Sequence, residues 1–208
     1  TTRGPLAIGV QVLAFVPQGR GLRRAGGRPG DLIYVSGTPG DAAAGLEIVR
    51  DASSARDDTQ RDDTKRDDRA REFLRARFEY PTPRLALGAV LRDVASACID
   101  VSDGLAGDLG KLAAASGCGA RLDVERLRPS AALSRYASPE RLRAWMLAGG
   151  DDYELVFTVS AANRSRFEQA AHEFEWRQIG ELVVEPGVTL CEHGRRIDLS
   201  AASFDHFG

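Results

Sequence analysis

Histidine, cysteine and methionine are scarce in this 208-residue chain, at three, three and one. Cys98, Cys118 and Cys191 are far apart and odd in number, which argues against a disulfide framework. With no CxxC pair and no Cys/His cluster, the sequence offers no zinc site. Three reduced thiols in a cytoplasmic protein is the expectation. No apolar run approaches the roughly 20 residues that span a bilayer. The opening TTRGPLAIGVQVLAFV lacks the order of a signal peptide, a basic region followed by an apolar core and a small-residue cleavage site. Charge of one sign is missing too: a net charge of -2 removes the electrostatic motive for nucleic acid or an anionic membrane as partner. An initiator Met is absent, and the chain opens on what reads as a strand already under way.

What is present is a globular composition, 43% hydrophobic and 28% charged, with room for one full domain and part of a second. Residues 6–16, LAIGVQVLAFV, predict a strand in a well-covered sheet. A loop-rich connection follows, punctuated by Pro17, Gly19, Gly21, Gly26, Gly27, Pro29 and Gly30. Leu32 to Val35 reads as a strand, Ser36 to Gly40 as a turn and Asp41 to Arg50 as a helix. Residues 56–70 repeat a charged pentapeptide, RDDTQ, RDDTK, RDDRA, with opposite charges at i,i+4 spacing. Each DD pair has its own Arg or Lys and nothing apolar closes around it, so a solvated helix extension or insertion is expected, not a metal site. Apolar residues return at Phe73, Leu74 and Phe78, where the helix should dock before Pro81-Thr82-Pro83 ends it.

Beyond that, the patterns predict a short helix over 85–91, a strand over 96–100 and a helix from Asp103 to about Ser116. Leu105, Leu109, Leu112 and Ala113 share one face of that helix, and Gly117-Cys118-Gly119 stops it. A strand over 120–124, a helix over 139–147, a strand over 153–159, a helix over 162–173 and two or three short strands complete the chain. Alternating strands and helices point to an α/β or α+β layered domain.

Between the strand and helix lies IDVSDGL, which packs Asp100, Ser102 and Asp103 into four residues. Ser102 or Asp103 as a simple N-cap explains one acid and the hydroxyl. It leaves Asp100, outside the helix, unexplained. Two carboxylates near a helix N-terminus suit a magnesium ion that in turn holds phosphate oxygens, and the helix end adds N–H groups for the anion. An EF-hand is excluded, because counting from Asp100 puts Gly104 one place early and Lys111 where the closing acid belongs. A P-loop is excluded by the spacing of Gly104 and Gly110 and by Leu112 after Lys111.

Five stretches, TTRGPLAIGV, GRPGDLIYVSGTPGDAAAGL, PTPRLALG, IDVSDGLAGDLGKLAAASGCGA and AGGDDYELVFTV, occur in an order and spacing that resembles the thiamine-monophosphate kinases. These belong to the aminoimidazole-ribonucleotide-synthetase-like ATP-binding superfamily, and the match covers most of the chain apart from the RDDTQ repeats. The resemblance implies transfer of the ATP γ-phosphoryl group to thiamine monophosphate, direct and assisted by several Mg²⁺ ions. By the same resemblance Asp100 and Asp103 are magnesium ligands, and Ser102 and Arg24 contact ATP, with Arg23 adjacent to the latter. Asp151 stands where the family usually has Glu and contacts the thiamine phosphate, a methylene shorter. Phe207, in SFDHFG, packs on the substrate ring, a cation over an aromatic face. No residue is assigned a catalytic role beyond the metal ligands, and His172, His193 and His206 match no role.

The resemblance further implies that residues 1–27 are the end of an N-terminal ATP-binding domain and 28–208 a C-terminal α/β domain, with the charged insertion at about 51–72. The whole enzyme is then expected to be a cytoplasmic homodimer, and these residues alone a weak or inactive catalyst. Sister synthetases of the superfamily, a non-catalytic domain that binds thiamine phosphate or nucleotide, and a structural module without ligand are the alternatives.

Overall fold

The computed structural model describes residues 9–54 and 68–197. Seven strands form one sheet: β1 (Leu32–Ser36), β2 (Ala97–Val101), β3 (Gly119–Asp123), β4 (Glu154–Val159), β5 (Trp176–Val183), β6 (Gly187–Glu192) and β7 (Arg195–Ile197). Their spatial order is β2-β4-β1-β5-β3-β6-β7. All neighbours are antiparallel except β3 and β6, which run parallel. Helices α1 (Asp41–Ser54), α2 (Asp68–Glu79), α3 (Leu85–Leu91), α4 (Leu105–Ala115), α5 (Ala131–Tyr136), α6 (Pro139–Ala148) and α7 (Arg164–Ala170) fill the connections.

The period-two alternation of the strands divides the core between the two faces of the sheet. Ile33, Val35, Ile99, Val101 and Val156 face one side, where Leu105, Leu109 and Leu112 of α4 lie against them with Ile48, Leu74, Leu133 and Leu147. Tyr34, Phe157 and Val159 face the other side and meet Leu87 and Leu91 of α3 and Phe167 of α7. The rings of Tyr34, Phe157, Phe167 and Trp176 form a connected aromatic group. The result is a layered α/β domain of the class expected, and α3 spans the residues that its periodicity marks.

Two expectations fail, and one helix was not anticipated. Residues 9–16 form no strand: none of the described strands pairs with them, and Val10, Val12, Leu13, Phe15 and Val16 stand exposed. A strand exists only through a partner for its backbone groups, and apolar composition cannot supply one. The same connection reaches the sheet only further on, where the Arg23 carbonyl accepts from Cys98 N at the open edge of β2. In α2 the docking face is Ala70 and Leu74, both buried, while Phe73 is 44% exposed because it lies off that i,i+4 stripe. Helix α5, absent from the sequence reading, is a short helix capped by Ser130, whose side chain accepts from Leu133 N. The RDDTQ repeats between 55 and 67 and Phe207 lie outside the described residues. None of the described helices is long and apolar enough to cross a membrane.

Leu109 is fully buried at the centre of the α4 face. Replacing it with Ala should cost about 2–5 kcal/mol in urea unfolding, the range for deleting a core leucine. A loss below about 1 kcal/mol would contradict this packing.

Candidate functional site

Two loops meet at one end of the sheet. The first leaves β2 as Ser102-Asp103-Gly104 and enters α4; the second leaves α6 as Gly149-Gly150-Asp151-Asp152-Tyr153 and enters β4. They are laced by backbone hydrogen bonds, Asp151 N to Ser102 O and Tyr153 N to Val101 O, each 2.9 Å. The contact is so close that a β-carbon on Gly150 would sit 2.5 Å from the Ser102 carbonyl oxygen. Gly104, at φ 111°, adopts a backbone that other residues resist, and a β-carbon there would meet the Ala148 backbone.

Neither Ser102 nor Asp103 caps α4, contrary to the simple N-cap reading; the cap position is Gly104, without a side-chain bond. The turn is held from inside the helix. Asp108 is buried, and its carboxylate accepts from both Ser102 N and Asp103 N at 2.9 Å. It occupies the place an anion would take at a helix start, as the dipole favours. Lys111 completes the arrangement by pairing with both Asp103 and Asp108. The hydrogen bond to Asp103, followed by the one to Asp108, holds the Lys111 ammonium above the usual lysine range.

The second loop has its own anchor. Asp152 is fully buried and accepts from Gly40 N at 2.6 Å and Ala42 N at 3.1 Å, so it serves the N-terminus of α1. Burial pushes its carboxyl up to about 7, against the lowering effect of those two N–H bonds. Asp41, on the same helix, is also raised by burial, despite hydrogen bonds from Ser130 and Thr38. Glu154, likewise fully buried, receives Ser36, Arg77 and Arg84. With Asp152 and Glu154 turned inward, Asp151 and Tyr153 project outward, at φ 65° and 50°. Such conformations cost on the order of 1–3 kcal/mol each for residues other than glycine and persist where surrounding contacts over-determine them.

A cleft of about 750 Å³ opens beside these loops. It is lined by Ser102, Asp103, Asp151 and Tyr153, together with Leu46, Glu47 and Arg50 of α1 and Trp145 of α6. Trp145 is stacked on Tyr136 and carries Arg141 over its ring at 4.4 Å. A cleft of that size, part apolar with a few convergent polar groups, suits a small organic ligand.

Of the residues expected at a site, Ser102, Asp103 and Asp151 come together in this cleft. Asp100 is exposed on β2 and does not line it, though its charge reaches the Tyr153 hydroxyl together with those of Asp151 and Asp103. Arg24 is exposed on the connection beside the β2 edge and does not line the cleft. Asp100 and Asp103 carry the hard oxygens that Mg²⁺ prefers, but Asp103 is paired with Lys111 and Asp100 lies off the cleft. They do not make a whole site: among the described residues no three His, Cys, Asp or Glu side chains are grouped to hold a metal. Asp108, Asp152, Tyr153 and Trp145 escaped the sequence reading. For Asp108 a signal existed, an acid in the first turn of a helix that follows a turn.

The C-terminal-domain model of AIR synthase related proteins matches residues 28–191. A thiamine-monophosphate kinase from Escherichia coli is 42% identical over 210 residues, covering 100% of this chain and 62% of the relative. The chain therefore spans less than two thirds of the curated relatives it matches. A crystal structure of thiamine-monophosphate kinase from Stenotrophomonas maltophilia is 38% identical, with a TM-score of 0.74 over 84% of this chain and 54% of that one. AaThiL complexed with AMPPCP and TMP is 28% identical, with a TM-score of 0.68 over 89% of this chain and 54% of that one.

An unfolded aspartate titrates near pH 3.9, far below the raised carboxyl of Asp152. Between about pH 4 and 7 the folded state keeps a proton that the unfolded state releases, so this group's contribution is complete below about pH 4 and is lost as pH rises through about 7. In urea unfolding from about pH 4.5 to 7.5, the stability difference between Asp152→Asn and the parent should move in the variant's favour as pH rises. Parallel pH profiles would contradict this.

Proposed function

The chain belongs to the AIR synthase related proteins through their C-terminal domain, and from that premise we propose that it is the C-terminal portion of a thiamine-monophosphate kinase. One observation carries the reading: Ser102, Asp103 and Asp151, from motifs far apart in the sequence, share a single cleft sized for a small ligand. The likeness to the Escherichia coli enzyme runs over the whole chain. A related structure holds an ATP analogue together with TMP.

The reaction we infer is attack by a phosphate oxygen of thiamine monophosphate on the γ-phosphorus of ATP. The bond to the β–γ bridging oxygen breaks, and ADP leaves with its electron pair. Phosphoryl transfer of this kind needs positioning and charge neutralisation more than covalent chemistry from the protein. Asp100 and Asp103 would hold Mg²⁺, which would supply the neutralisation of phosphate charge. The chain's own residues do the rest. The Ser102 hydroxyl donates to a phosphate oxygen of ATP. Asp108 fixes the Ser102–Asp103 turn by its two N–H bonds. Lys111, already bridging Asp103 and Asp108, places a positive charge beside the turn.

Asp151 serves the second substrate. As a carboxylate it repels phosphate, so it suits the cationic ring and amino group of thiamine. Arg24 contacts ATP from the connection beside β2, and residues 1–27 belong to a preceding ATP-binding domain. Exposed Val10, Leu13 and Phe15 support that assignment, since a segment this apolar is normally covered.

Thermal denaturation with Mg²⁺ plus AMPPCP and thiamine monophosphate tests the reading. Ligand at about 100 times its Kd should stabilise the parent by about 2.7 kcal/mol, and the Asp100→Asn/Asp103→Asn variant should lose that gain. No ligand-dependent shift in the parent, or a shift that the variant keeps, would contradict it.

A further inference from the structure

Lysine is rare in this chain: Lys65 lies in the charged repeats, and Lys111 is the other. The residue type matters at Lys111, because an ammonium is a compact point charge and a guanidinium a broad planar fork. The Lys111 Nζ is seated between two carboxylates, donating to Asp103 Oδ2 and, at 2.8 Å, to Asp108 Oδ1. These two partners differ. Asp108 is buried, at 1% exposure, and its other oxygen, Oδ2, is committed to Ser102 N and Asp103 N. Asp103 is 43% exposed and lines the cleft. An ion pair that open to solvent is weak and exchangeable, whereas a buried carboxylate loses its partner only at high cost. Of the two contacts, the one to Asp103 is therefore the one that gives.

We propose that Lys111 is a built-in competitor of Mg²⁺: its ammonium holds the Asp103 carboxylate and must release it before Mg²⁺ binds there. The identity of the cation rests on the kinase reading above. Release does not require the lysine to leave the helix start. Anchored on Asp108 Oδ1, the ammonium parts from Asp103 by rotation of its flexible four-carbon stem. The turn stays in place meanwhile, since Asp108 Oδ2, not Lys111, holds Ser102 N and Asp103 N. One cation or the other thus offsets Asp103 in a cleft that also holds Asp151 and Glu47. Arginine would serve less well, because its fork grips a carboxylate through two parallel bonds and yields it less readily.

Titration of the isotope-labelled 208-residue chain with Mg²⁺ alone, read by NMR at the Ser102–Gly104 amides and the Lys111 side chain, tests this. In the parent the amides should titrate, the Lys111 Cε–Hε signal should move with the same midpoint, and Asp103→Asn should abolish both. Lys111→Met and Lys111→Gln should each lower the midpoint about 2- to 5-fold, the scale of one exposed ion pair. Titration in these two variants but not in the parent would show the same competition in its strongest form. A midpoint unchanged or raised in either folded variant, or a Lys111 signal that stays still while the amides titrate, would overturn the inference and leave Asp103 a metal ligand. So would loss of the turn's amide pattern in both variants, which a merely structural lysine would produce. No Asp103-dependent titration in the parent or in either Lys111 variant would overturn the magnesium assignment of the kinase reading, and this inference with it.

Discussion

An acid with no exposure to solvent, Asp152, holds the first N–H groups at the start of α1 from the loop before β4, and the shape of the cleft depends on it. Burying that side chain is costly, and the two donors and the dipole at the helix start offset the cost only in part, since its carboxyl is still pushed up to about 7. Its neighbours take the consequence. With Asp152 and Glu154 pointing inward, the residues on either side of Asp152 are turned outward with positive φ, and the loop is pressed onto Ser102. Glu154 extends the anchoring to Arg77 of α2 and to Arg84 just before α3. One short segment thereby ties β4, α1, α2 and α3 together and leaves the side chains of Asp151 and Tyr153 lining the cleft.

The two walls of the cleft are held by the same device used twice. Asp108 gathers the backbone of the Ser102–Asp103 turn, and Asp152 gathers the start of α1. In each case a buried acid satisfies backbone N–H groups, and a neighbouring acid, Asp103 or Asp151, is left at the surface of the cleft. Such pairs separate the roles of like residues through burial alone.

How far these features could be read in the sequence follows from the range of the interaction responsible. Leu105, Leu109, Leu112 and Ala113 were legible because helical periodicity is local, and all four are buried as their spacing implies. The strand before IDVSDGL and the helix over 85–91 were legible for the same reason. Residues 9–16 misled because a strand depends on a partner that composition does not encode. Ser102 and Asp103 looked like caps because the competing acceptor, Asp108, lies a turn further along the helix. At the site, motifs located Ser102, Asp103 and Asp151. Nothing local marks Asp152 as a buried acid or Tyr153 as a left-handed residue, since both follow from contacts with α1 and β2.

The cleft is lined by acids together with Trp145 and Arg50, and Lys111 pairs with Asp103 beside it. On the proposed kinase reading, anionic phosphates are met through cations and N–H groups, while Asp151 meets the cationic part of the second substrate. The central claim, that this cleft is where thiamine monophosphate lies, is tested most directly by a crystal structure of the chain grown with AMPPCP, Mg²⁺ and thiamine monophosphate. The account predicts the thiamine heterocycle between Trp145 and Asp151, with its phosphate turned toward Ser102. Ligand bound elsewhere, or with its phosphate against Asp151, would contradict it.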